Sequence, residues 1–223
     1  ASIGAPKIPE DRTDNPVRRN DSDTETKGKQ TLNEVIISGG QIGDANSYDA
    51  DGKHVYGGHV FGGSRGDDQL DTNIFSTSMF TSIKIDKTET TSPVIYGNVY
   101  GGGEVGIVKG SVDVTMNGGT VNHDVYGGGA LANTNTENPK DNSGKVTSTS
   151  NYTTDVKLLG GQIKGDAYGG ALGDDTHEPF VYGDVTVELN NNNNGGTADG
   201  NTTGCIVDRV FAANNTKGTP KGS

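Results

Sequence analysis

Residues 99–129 read VYGGGEVGIVKGSVDVTMNGGTVNHDVYGGG, a stretch that opens and closes on one signature: an apolar residue, a tyrosine and three glycines. Inside it Val112, Val114 and Met116 alternate with Asp113 and Thr115, the period of two that places every second side chain on one face of a strand. Gly118-Gly119 then interrupts the alternation, and glycine lets a backbone turn sharply without a Cβ clash. Tyr100 and Tyr126 stand 26 residues apart, the length that three short strands with their turns require, at about 5 residues per strand.

The unit recurs on both sides. Residues 155–171, DVKLLGGQIKGDAYGGA, repeat 112–129 with the Gly-Gly pair and the Tyr-Gly-Gly displaced by the same 42 positions. An earlier copy opens as VIISGGQIG at 35–43 and closes at Phe61-Gly62-Gly63 after an insertion; FGGSRGDD at 61–68 also matches YGGALGDD at 168–175. A later copy runs VTVEL at 185–189, crosses an Asn/Gly-rich loop from Asn190 and resumes as CIVDRVFAANN at 205–215. Three copies place an apolar residue five positions before the aromatic: Val121 with Tyr126, Ile163 with Tyr168, Ile206 with Phe211.

Phe61, Tyr100, Tyr126, Tyr168 and Phe211 therefore mark five units. Repeats of this size with a constant corner predict stacked coils in which equivalent residues of successive rungs meet. The expected fold is an all-β parallel β-helix of about five rungs with loop insertions, spanning residues 33–223. Val, Ile and Leu are expected in inward columns and the aromatics in a column at a rung corner, where the adjoining glycine admits close backbone approach. Residues 1–32, with prolines, mixed charge and little apolar periodicity, read as a polar tail or linker.

Composition agrees with a thin core. Hydrophobic residues make up 29% and aromatics 6%, while glycine numbers 36, a balance poor in helix formers and rich in turn chemistry. A net charge of −11 opposes a phosphate backbone, which needs clustered Lys and Arg, so nucleic acid is not an expected partner. No apolar run approaches the roughly 20 residues of a membrane-spanning helix. Cys205 is the sole cysteine, which excludes an internal disulfide and a cysteine-rich zinc site.

The VYGGG punctuation of residues 99–129 resembles the repeats of large, adhesin-like surface or secreted proteins of Bacteroides-type bacteria, the similarity extending over roughly residues 33–223. The resemblance implies a right-handed parallel β-helix, secretion or cell-surface display, and a structural or adhesive role; it brings no catalytic residues with it. GTPKGS at 218–223 parallels GIVKGS at 106–111, which leads into the strand VDVTM. The expectation there is a continuing repeat or a partner over an open rung, since unpaired strand edges invite self-association. End-to-end assembly into a filament, or binding of a host protein or glycan, is the functional expectation.

Candidate chemistry is sparse. Arg65-Gly66-Asp67 spells the integrin-recognition tripeptide, but the equivalent copy reads Leu172-Gly173-Asp174, so a shared Gly-Asp-Asp turn accounts for all but Arg65. Asp67 and Asp68, and likewise Asp174 and Asp175, offer oxygen ligands of the kind Ca²⁺ takes, with solvated or capping turns as the competing account. His54, His59, His123 and His177 show no compact metal spacing. Asp184, Asp208 and Arg209 near the late strands are the residues that a carbohydrate-active β-helix enzyme, a lyase or hydrolase, would use in a groove. This enzyme is the alternative function, and solvent-facing strand positions are the plainer account of those three residues. The Asn/Thr-rich stretches at 132–155 and 190–204 read as surface loops, the natural place for variable binding.

Overall fold

The computed structural model describes residues 32–45, 57–66, 76–137, 152–190 and 204–218. Fifteen strands and no helix occur among them. In chain order they group into rungs that each end on one of the five aromatics. The first holds β1 (Leu32–Ile37), β2 (Gln41–Ile42) and β3 (Val60–Phe61). The second holds β4 (Thr77–Ser78), β5 (Phe80–Ile85), β6 (Val94–Ile95) and β7 (Val99–Tyr100). The third holds β8 (Ile107–Val108), β9 (Val112–Val121) and β10 (Val125–Tyr126). The fourth holds β11 (Thr153–Ile163) and β12 (Ala167–Tyr168), and the fifth β13 (Asp184–Leu189), β14 (Cys205–Ile206) and β15 (Val210–Phe211).

Every ladder among the described residues is parallel, and strand order follows chain order: β1-β5-β9-β11-β13 in one sheet, β3-β7-β10-β12-β15 in another. A further ladder joins β4 to β8, and a parallel bridge from Thr134 to Val181 carries it into the fourth and fifth rungs. This is the order predicted for stacked coils, and it excludes a hairpin meander, whose neighbouring strands run antiparallel.

Alternation in each strand sorts the side chains. Val35, Ile83, Val114, Val156 and Val187 lie opposite one another through five rungs, and Ile37, Ile85, Met116, Leu158 and Leu189 form the next column. The middle members, Ile83 to Val156 and Ile85 to Leu158, are wholly buried. Full burial of one such side chain contributes roughly 1.5–3 kcal/mol, so the thin interior is dense enough to hold the stack.

β9 runs through Gly118-Gly119, with β5 pairing to its first half and β6 to its second. Gly119 has φ 90° and Gly161 of β11 has φ 88°, a left-handed backbone that residues with a Cβ rarely adopt. The two strands are not in simple register there: Gly160 lies opposite Asn117, leaving Leu159 as an extra residue, and alignment returns at Gln162 and Thr120. Such bulges bend a strand.

Three sequence expectations need correction. Ile206 lies opposite Gln162, not Ile163, and is 51% exposed; Cys205 turns inward instead, and Val207 packs against the core. The five-residue spacing therefore does not mark a core position in the fifth rung. The stretch 132–155 is not all loop, because Thr134 bridges to Val181 and β11 begins at Thr153. Asn135 holds the start of that stretch: its Nδ2 donates to the carbonyls of Gly110 (2.8 Å) and Thr153 (3.1 Å), and its Oδ1 accepts from Thr154 Oγ1 (2.8 Å). Leu32 already pairs with Phe80, one residue before the expected boundary of the repeat; residues 1–31 and 219–223 lie outside the described residues.

Candidate functional site

The aromatic column is real and continuous. Phe61, Tyr100, Tyr126, Tyr168 and Phe211 stack with ring centroids 4.9–5.0 Å apart and planes within 12° of parallel. That spacing is the separation of neighbouring strands in a sheet, about 4.8 Å: the parallel register of β3, β7, β10, β12 and β15 places each ring over the last. Alternation turns Val60, Val99, Val125 and Ala167 into the main core, while Phe61, Tyr100, Tyr126 and Tyr168 form a second cluster with Ala130, Leu131 and Leu172. The rings thus make an outer layer roofed by the segments that follow the glycines.

A polar ladder runs beside the rings, two residues ahead of each: His59, Asn98, Asp124, Asp166, Arg209. The backbone N–H of Asn98 donates to His59 Nδ1 (2.9 Å), that of Asp124 to Asn98 Oδ1 (2.9 Å), and that of Asp166 to Asp124 Oδ1 (2.8 Å). At the last step the Arg209 backbone and guanidinium both reach the Asp166 carboxylate, with Nε 3.0 Å from Oδ1 and Nη2 2.7 Å from Oδ2. Each rung's polar side chain thereby accepts the N–H that the next rung offers. Ladder and rings are joined: Asn98 Nδ2 donates to the Tyr100 hydroxyl (2.7 Å), and Tyr126 and Tyr168 donate theirs to Asp124 Oδ2 (3.0 Å) and Asp166 Oδ2 (3.1 Å).

Electrostatics follow this layout. Burial, with nearby carboxylates, pushes the Tyr100 and Tyr168 hydroxyls up to about 12 and Tyr126 further still. The Arg209 guanidinium holds the Asp166 carboxyl below the usual range, aided by the Tyr168 hydroxyl, while Asp166 raises Arg209. Burial also pushes the Cys205 thiol up to about 11, which leaves it protonated and unreactive at neutral pH.

The residues singled out in the sequence have more local roles. Arg65 is exposed, with Nε 3.4 Å from Glu104 Oε2. Gly66 (φ 74°) and its counterpart Gly173 (φ 72°) share a left-handed backbone, so the glycine of the two copies has the same local conformation. Asp67 and Asp68, and His54, lie outside the described residues. Asp174 Oδ1 accepts from the backbone N–H groups of Thr176 (2.8 Å) and His177 (2.7 Å) and from Thr176 Oγ1 (2.8 Å), with His177 Nδ1 2.9 Å away. Those donors, the Thr176 N–H foremost, hold its carboxyl well below the usual range. This is a capped turn in which Asp174 meets hydrogen-bond donors; exposed Asp175 follows it in the chain.

Asp184 begins β13, Asp208 precedes β15, and Arg209 is committed to Asp166. Among the described residues no three His, Cys, Asp or Glu side chains converge as metal ligands, and no helix is long and apolar enough to cross a membrane.

Sequence reasoning found the rings and missed the ladder. The signal was present as a recurring triplet of polar, small apolar and aromatic residues: His59-Val60-Phe61, Asn98-Val99-Tyr100, Asp124-Val125-Tyr126, Asp166-Ala167-Tyr168 and Arg209-Val210-Phe211. Compared with known proteins, the chain matches no family model, no curated protein and no solved structure.

Proposed function

We propose that this chain is a structural and adhesive module of a secreted or cell-surface protein, a right-handed parallel β-helix that works by presenting its rungs and loops to other molecules. The observation that carries the reading is the contrast between saturated and unsaturated rungs. Inside the stack every aromatic has a ring on both faces and the polar ladder has a partner at each step. The fifth rung, in contrast, leaves Leu189 51%, Val210 41% and Phe211 39% exposed. Apolar columns and strand edges of this kind invite a further rung. The VYGGG resemblance to adhesin-like repeats supports the same reading. Assembly is end to end, with other rungs or with copies of the chain, and host proteins or glycans are met by the surface loops.

Electron microscopy and sedimentation of the purified protein, together with an array of extracellular-matrix proteins and glycans assayed for binding and turnover, test the proposal. Filaments, oligomers or retained ligands without turnover are expected. A monomer at high concentration that retains nothing on the array would sink it. Cleavage of a glycan would turn the reading toward a carbohydrate-active enzyme.

A further inference from the structure

We propose that the tyrosine column is a one-electron relay, a function separate from adhesion: an oxidising equivalent received from outside passes along Tyr100, Tyr126 and Tyr168 and comes to rest on Tyr126 as a neutral radical, its proton held by Asp124. The stack supplies the path. Neighbouring tyrosine rings lie 4.9 and 5.0 Å apart, at 12° and 8° to one another. Their π-faces overlap, and overlap lets a ring that has lost an electron take one from the next. The strand spacing of about 4.8 Å fixes that separation. Phe61 and Phe211 flank the three tyrosines in the column. Without a hydroxyl, their rings have no phenolic proton to give up and are much harder to oxidise, which confines the equivalent to the tyrosines.

The polar ladder decides where it stops. A phenol that loses an electron becomes strongly acidic, and the radical persists only where a base within hydrogen-bond reach, about 2.6–3.2 Å, takes the proton. The three hydroxyls differ in this respect. Tyr100 accepts from Asn98 Nδ2 (2.7 Å) and, among the described residues, donates to no carboxylate. Tyr168 donates to Asp166 Oδ2 (3.1 Å), but that oxygen also lies 2.7 Å from Arg209 Nη2. The guanidinium holds Asp166 in its charged form and makes it a poor proton acceptor. Tyr126 donates to Asp124 Oδ2 (3.0 Å), and Asp124 has no ion-pair partner among the described residues; its Oδ1 takes the N–H of Asp166. Asn215 Nδ2 donates to the Tyr126 oxygen (2.8 Å), which leaves the hydroxyl proton directed at Asp124.

The step balances without a further reactant. One electron leaves the Tyr126 ring, directly or through Tyr100 or Tyr168, for an oxidant of the class of high-valent metal complexes or oxygen-centred radicals. The O–H bond breaks and the proton bonds to Asp124 Oδ2. The products are a neutral tyrosyl radical, a carboxylic acid and the oxidant reduced by one electron. Burial raises the Tyr126 hydroxyl far above its ordinary range, so no phenolate forms beforehand and proton and electron leave together. Tyr126 is 1% exposed with a ring on each face, which keeps its radical from coupling with one on another molecule.

Flash photolysis of the full chain with ruthenium tris-bipyridine and an irreversible quencher, which generates a one-electron oxidant, tests the relay. The readouts are transient absorption and electron paramagnetic resonance of freeze-trapped samples. Exposed tyrosines such as Tyr182 give short-lived signals; beside them a long-lived tyrosyl signal is expected, formed more slowly in heavy water. Tyr126→Phe keeps a ring in the stack and is expected to abolish the long-lived signal. Asp124→Asn keeps an acceptor for the Asp166 N–H and is expected to slow formation of that signal about 100-fold, the low end of what a positioned proton acceptor contributes. The double variant Tyr100→Phe, Tyr168→Phe leaves Tyr126 between two rings but removes the oxidisable neighbours, so the long-lived signal should form several-fold more slowly. Absence of a long-lived signal in the unaltered chain, its survival in Tyr126→Phe, unchanged formation in Asp124→Asn, or unchanged formation in the double variant overturns the relay.

Discussion

At Gly127 there is no room for a methyl group. A Cβ built there would meet the carbonyl oxygen of Gly169, lie 2.6 Å from Thr154 Cγ2 and sit 2.8 Å from Val156 Cγ2, so it would press on a backbone and on the core together. Glycine to alanine gains about 0.4–1 kcal/mol by restricting the unfolded chain, while overpacking costs about 1–3 kcal/mol; the second effect wins. Gly127→Ala is therefore expected to lower the urea-unfolding stability by roughly 1–2 kcal/mol. Gly57, which has nothing within 4 Å of a built Cβ, is the control, and Gly57→Ala should be neutral or slightly stabilising. Equal losses at the two sites would refute the packing argument. Asn135 makes a different case. It is fully buried at φ 56° with its donors and its acceptor engaged, and Asn135→Ala strands two carbonyls and the Thr154 hydroxyl. Unsatisfied buried groups cost about 1–3 kcal/mol each, so chemical denaturation should show a loss of at least about 2 kcal/mol. The glycines after the rings were legible because they recur with the rung. Asn135 was not, because one asparagine among the Asn and Thr of 132–155 has no periodicity to set it apart.

Between the ring column and the ladder, the elements of one sheet carry two titrations of opposite sense. Tyr100 and Tyr168 are held protonated up to about 12, against about 10 in an unfolded chain. A raised folded-state value means their contribution is complete below about pH 10 and is lost as pH rises through the folded value near 12. Asp166 is displaced downward, so its contribution is present above about pH 3.9 and disappears as pH falls through its folded value. Melting temperature is thus expected to fall at both extremes. The double variant Tyr100→Phe, Tyr168→Phe keeps the stack and should flatten the alkaline fall, and Asp166→Asn should be less stable at pH 7 but change less between pH 5 and pH 2. An alkaline limb that is identical in the double variant would assign it to other groups. The column was readable in advance because identical rings recur at one corner. The ladder was hidden because His59, Asn98, Asp124, Asp166 and Arg209 share no identity; what the first four of these five share is the capacity to accept an N–H, visible only once strand register sets one above the next. Ile206 misled for a related reason: constant spacing along the chain stands for constant register only where no residue is added or dropped before the ring.

On the scale of the whole molecule, a stack in which each rung touches only its neighbours has a stability that is a sum of rung and interface terms. Among the described residues the third and fourth rungs have partners on both sides, whereas β13 and β15 pair on one side only and Leu189, Val210 and Phe211 are partly exposed. Opening free energies should therefore be graded along the stack, highest where Val114, Met116, Val156 and Leu158 are wholly buried and lowest at the fifth rung. Rung number and strand direction could be inferred from the repeat, but this gradient could not, because it depends on how fully each column position is buried. Native-state hydrogen exchange resolves it, since amides that open locally exchange at lower free energies than those released only by global unfolding. The slowest amides are expected in β9 and β11 and the fastest strand amides in β15. Arg209 couples the two regions, because its guanidinium ties the fifth rung to Asp166 of the fourth. Arg209→Gln should then accelerate exchange across β15 while leaving β9 unchanged. Exchange from all five rungs at one common free energy would show a single cooperative unit and refute the graded stack.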